Sequence, residues 1–108
     1  MRIGIVGGIL RNETVFREIA ERLGYDLAFH SGYIGGRGSE TLRKLGLNVD
    51  LLIVQTDVNS HGAVHLARQT ARRSGVPIMI YRRLSPNRFA AIAAGFATSD
   101  MAKGGGNS

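Results

Sequence analysis

The segment Asp50-Leu-Leu-Ile-Val-Gln55 constrains this chain more than any other. Its apolar centre shows no alternation, so a strand built from it has two buried faces, as a central strand of a parallel sheet must. Around it, short apolar runs alternate with amphipathic stretches, the pattern of an α/β sheet. Two more strands are expected upstream, Arg2-Ile-Gly-Ile-Val6 and Asp26-Leu-Ala-Phe-His30, and one downstream, Ile78-Met-Ile-Tyr81 after Pro77. Asn12 is expected to cap a first helix whose stripe Phe16, Ile19, Ala20, Leu23 stops at Gly24. Ser39 caps a short second helix through about Leu45, which Gly46 ends. A third helix starts at Asn59 or Ser60 and stops at Ser74-Gly75. Ser85-Pro86, a capping residue followed by proline, opens the fourth, which places Phe89, Ile92, Ala93 and Phe96 on one face.

Right-handed crossovers between these elements give a four-stranded parallel sheet of order 2-1-3-4 with helices on both faces, a Rossmann-like or flavodoxin-like α/β fold. With 108 residues there is room for one domain, 1–102, followed by a disordered glycine-rich tail, 103–108. A core of this size needs no staple. The absence of cysteine excludes thiolate zinc sites, iron–sulfur clusters, thiol nucleophiles and a disulfide framework. The longest apolar run, Phe89 to Ala97, is too short to span a bilayer, and the N-terminus runs straight into a strand with no cleavable apolar region. A cytoplasmic protein without a membrane segment is expected.

Fourteen Lys and Arg against eight Asp and Glu leave a net charge of +6, and twelve of the fourteen are arginine. Arginine favours planar partners such as phosphate and carboxylate, so an anionic ligand or nucleic acid fits. The arginines are spread along the chain, however, which also describes a plain solvated surface. Nucleic-acid binding further lacks a motif or a cluster of stacking aromatics.

Ligands of open parallel sheets bind beyond the carboxyl ends of the strands, near the switch in strand order. Strand one ends there in Gly7-Gly8, strand two in His30-Ser31-Gly32, strand three in Thr56-Asp57 and strand four in Arg82-Arg83. The third helix then brings His61 and, one turn on, His65, so all three histidines fall at or near one edge. Spacing of four on a helix lets His61 and His65 share a metal ion, with His30 or Asp57 completing a three-ligand set. Haem is another use, with one imidazole on iron and arginines on the propionates. Alternatively, free N–H groups at the helix start, with Ser60, hold an anion, and Asp57, Ser60 and His61 can equally do no more than cap the helix. The stripe His61, His65, Arg68, Arg72 can be solvated, meet a phosphate, or face a second subunit, and a homodimer across it doubles the histidines. Backbone N–H groups of the loop Gly32 to Gly38, with Arg37, can form an anion-binding nest, or the loop can be plain surface.

Several chemistries are absent from the pattern. There is no G-x-G-x-x-G, no phosphate-binding P-loop and no His-Glu-x-x-His. Asp57 has the place of a receiver-domain phosphoacceptor, but Gly7-Gly8 stands where such domains carry an acidic pair, and the fifth strand with its lysine is missing. No Ser–His–acid or paired-carboxylate arrangement stands out, so catalysis is unsupported.

The motifs Ile5-Val-Gly-Gly8, His30-Ser-Gly32, Thr56-Asp-Val-Asn-Ser-His61 and Arg82-Arg83 together resemble a bacterial family known as domain of unknown function 2325. The resemblance runs from Arg2 to Arg83 and is most specific in Thr-Asp-x-x-Ser-His. It implies a Rossmann-like fold and importance for His30, Asp57 and His61, and no activity. The Gly32–Gly38 loop and the Phe89–Ala97 helix depart from the family pattern. The leading expectation is a small sensor or accessory protein holding a metal ion or haem through His61, with His65 or His30 and with Asp57 as orienting partner or ligand. The alternative is a regulatory domain that binds a nucleotide or other phosphorylated metabolite through Gly7, Gly8, Arg37, Ser60, Arg82 and Arg83.

Overall fold

The structure, a computed structural model, describes residues 1–8, 12–57 and 61–106, of which 97–106 are described by their backbone alone. Strands β1 (Arg2–Val6), β2 (Asp26–His30), β3 (Leu51–Gln55) and β4 (Ile78–Tyr81) alternate with helices α1 (Glu13–Arg22), α2 (Gly38–Leu47), α3 (His61–Ser74) and α4 (Pro86–Gly106). All strand pairs are parallel, and the sheet order is β2-β1-β3-β4. That is the expected α/β fold. Chain direction explains it: β1 steps one way to β2 and β3 the other way to β4, so right-handed crossovers put helices on opposite faces.

Each face has its own core. Leu51 and Ile53 of β3 join Ile3, Ile5, Phe16 and Phe89 beneath α1 and α4. Leu52 and Val54 join Val6, Leu42 and Ala67 beneath α2 and α3. All five residues of β3 are buried, which accounts for its unbroken apolar run. Each of its four aliphatic side chains is worth about 2 kcal/mol over its exposed state.

Helix boundaries differ from expectation in instructive places. Asn12 has helical φ and ψ and makes no side-chain cap bond. Helix α2 starts at Gly38 with Arg37 at its cap, so Ser39 lies inside the helix. Gly46 does not end that helix; it is buried within it. A Cβ there would lie 2.5 Å from Thr70 Cγ2, so glycine at this position lets α2 and α3 approach. Asp50 falls just outside β3, and its carboxylate accepts the Arg2 N–H at 2.8 Å. Asn59 and Ser60, the expected start of α3, lie outside the described residues.

Ser85 does cap α4, its Oγ accepting the Arg88 N–H at 3.1 Å. The backbone of α4 runs to Gly106, into the stretch expected as a tail, whose last two residues lie outside the described ones. Among the described residues no helix is long and apolar enough to cross a membrane.

Candidate functional site at the carboxyl edge of the sheet

Beyond β1 the chain turns through Gly7 and Gly8, at φ 85° and 101°, a region that L side chains rarely adopt. The turn is bonded on both sides. Gly7 N–H donates to the His30 carbonyl at 2.8 Å, and Gln55 Nε2 donates to the Gly7 carbonyl at 2.9 Å. Gln55 Oε1 accepts the Leu84 N–H at 2.9 Å, so one buried amide ties the turn after β1 to the segment before α4. A Cβ on Gly8 would collide with that amide. The sequence reading missed Gln55. Its signal was a lone amide closing an apolar run, since a polar group at the end of a doubly buried strand must find partners.

His30 is equally committed. Its Nδ1 accepts the Gly32 N–H at 3.0 Å, which leaves the proton on Nε2 to donate to the Gly38 carbonyl at 2.9 Å. The Thr41 hydroxyl, 3.0 Å from Nε2, also donates to that carbonyl. One imidazole therefore clamps both ends of the glycine-rich loop, and neither nitrogen is left for a ligand.

Asp57 is paired as well. Its Oδ2 accepts Arg83 Nε at 3.1 Å and Nη2 at 2.8 Å. Arg82 beside it is exposed and makes no ion pair with a described residue. Arg37, at the start of α2, is likewise exposed and in no ion pair with a described residue. The carboxyl ends of β2 and β4 stand three strand spacings apart, about 14 Å, so Arg37 and Arg82 occupy opposite flanks. His61 and His65 are exposed, one turn apart on α3, and bond to no described residue. Among the described residues no three His, Asp or Glu side chains cluster as a metal site would require. Ser60 lies outside the described residues.

A pocket of about 170 Å³ opens where the strand order switches, between Gly7, Gly8, Glu13, Phe16, Phe29, His30, Ser31 and Gln55. Its floor is the stacked pair Phe16–Phe29, with centroids 6.3 Å apart. Its wall carries the Glu13 carboxylate, which Arg17 holds at 2.8 Å. Apolar floor, carboxylate and glycine backbone suit a small hydroxyl-bearing group. The candidate residues thus separate: Gly7, Gly8 and His30 meet at the pocket, while Asp57, Arg82 and Arg83 gather beyond β3 and β4.

A family model described as "Uncharacterized protein conserved in bacteria (DUF2325)" matches residues 2–94. The chain belongs to this family. The match takes in every candidate residue above and most of the α4 face that packs on the sheet. Among curated proteins, none matches the chain.

Proposed function

We propose that this member of the family is a small regulatory module that binds a nucleotide or another phosphorylated metabolite at the carboxyl edge of its sheet. The observation that carries the reading is the pocket at the strand-order switch, walled by the Gly7-Gly8 turn, with exposed Arg82, in no ion pair with a described residue, two strands away on the same edge. A hydroxyl-bearing part of the ligand would enter the pocket and meet Glu13. Its phosphate would reach Arg82, about 10 Å across β3 and β4. Arg83, steered by Asp57, would supply a second, partly neutralised charge.

Thermal shift and calorimetry against nucleoside phosphates and sugar phosphates test this. A ligand at one hundred times its Kd adds about 2.7 kcal/mol of stability, and Arg82→Ala should weaken its affinity at least tenfold. Full affinity in Arg82→Ala, or no stabilisation by any phosphorylated compound, overturns the reading.

A second reading, a metal ion or haem held by His61 and His65, is favoured by their exposure one turn apart with no bond to a described residue. With His30 and Asp57 engaged elsewhere, one copy offers two donors, short of the three or four a zinc-like site uses. A visible spectrum and elemental analysis of the purified protein, repeated for His61→Ala and His65→Ala, decide it. Bound metal or chromophore unaffected by both substitutions rules it out.

A further inference from the structure

Strand β4 is an outer strand of the sheet. Its ladder with β3 uses Pro77 and Tyr81 carbonyls as acceptors from Leu52 and Thr56, and the register pairs Leu52 with Ile78 and Val54 with Ile80. In a parallel ladder this turns the N–H and C=O groups of Ile78 and Ile80 outward. Among the described residues β4 pairs with β3 alone, and those groups meet no second strand. All four side chains of β4 are apolar or aromatic and half-buried. Its four residues carry no charge and no proline; Pro77 and Arg82 stand at its two ends.

The surroundings are strongly basic. Between Asp57 and Asp100 the chain has no acidic residue and six arginines, 68, 72, 73, 82, 83 and 88, which equals the whole net charge of +6. On α3, Gly62, Thr70 and Ser74 face the α2 side, where they meet Ile34 and Gly46. Helical spacing therefore puts Val64, Arg68 and Arg72 on the opposite flank, toward β4. On the other face Arg88 lies over the Tyr81 ring, 5.3 Å from its centroid. It borders an open groove of about 590 Å³ that Ala91 and Ile92 also line. An apolar strand edge with unpaired backbone, flanked by arginines on both faces, repels a second copy of itself and complements negative charge.

We propose that β4 is a docking edge for an extended acidic segment of another polypeptide, which adds to the sheet as a fifth strand. Backbone bonds to Ile78 and Ile80 supply the pairing, and Arg68, Arg72 and Arg88 select acidic side chains, as in strand addition elsewhere. This stands independently of the phosphorylated-ligand reading.

The test uses a short synthetic peptide alternating valine with glutamate, and its counterpart with lysine, on the full chain. The glutamate peptide should bind at least tenfold more tightly, lose affinity as salt rises, and slow amide exchange at Ile78 and Ile80. The amides of Met79 and Tyr81, already bonded to β3, should change little. Arg68→Glu, an exposed change, should lower the preference for the acidic peptide and leave the fold intact. Equal binding of the two peptides, binding of neither, or binding that leaves Ile78 and Ile80 unprotected overturns the proposal. So does a concentration-dependent dimer that protects these two amides without peptide, or an oligonucleotide that protects them as well as the acidic peptide does.

Discussion

The two outer strands of the sheet are alike in length and direction and opposite in treatment. Leu27 of β2 turns its carbonyl outward, and Arg17 covers it with a bond of 3.1 Å while lying 5.1 Å from the Phe29 ring centroid. His30 pins the loop that follows at both ends. Around β4 nothing comparable is found among the described residues: the outward groups of Ile78 and Ile80 are bare, and the nearby ion pair Arg83–Asp57 is surface-exposed on the arginine side, at 79%. Charge divides the same way, since the acid-free stretch begins only after Asp57. Edges invite association unless blocked. On the β2 side a side chain covers an outward carbonyl; on the β4 side none does among the described residues.

Substitutions can break or sharpen that contrast. The largest effect belongs to the residue that both sides share. Gln55→Leu would strand the buried Gly7 carbonyl and Leu84 N–H, costing about 2–4 kcal/mol in urea unfolding. A loss below about 1 kcal/mol would show that the two sides hold together without it. On the closed side, His30→Ala should cost about 2 kcal/mol and speed amide exchange at Gly32. Unchanged exchange there would show that the loop does not depend on the imidazole. Arg17→Ala should cost about 1 kcal/mol and raise concentration-dependent self-association, measured by light scattering, as the Leu27 carbonyl and Phe29 are uncovered. If association stays flat, Arg17 is not what closes this edge. On the open side, Arg83→Ala should cost no more than about 0.5 kcal/mol. A loss matching that of His30→Ala would erase the contrast.

Strand positions and sheet order were legible because they rest on local pattern. A doubly apolar β3, alternating elements and the handedness of crossovers leave few other arrangements. Gly46 was not legible, since a glycine near the end of a helical pattern reads as a stop, and only Thr70 across the interface gives it a different purpose. The histidines show the same divide. Their gathering at one edge could be read from strand ends and helix spacing. That His30 spends both nitrogens on Gly32 and Gly38 could not, because the loop's path decides it. The charge pattern lies wholly in the sequence: the arginines are spread along the chain, and positive charge concentrates after Asp57 because acids are missing there.

The strand order also divides the folding problem. Arg2 pairs with Asp26 and Leu52 with Ile78, whereas Ile3 must find Leu51 across a loop about twice as long. Doubling a loop adds only about 0.6 kcal/mol of closure entropy, but it makes the middle pairing the natural last step. Two βαβ halves can then form separately and join along a β1–β3 seam, which Gln55 and the packing of α1 on α4 fasten. The pocket sits at the mouth of that seam. Seven of its eight lining residues belong to the β1–α1–β2 half and Gln55 alone to the other, so a molecule that fills it against Gln55 also reports, and rewards, the docking of β3.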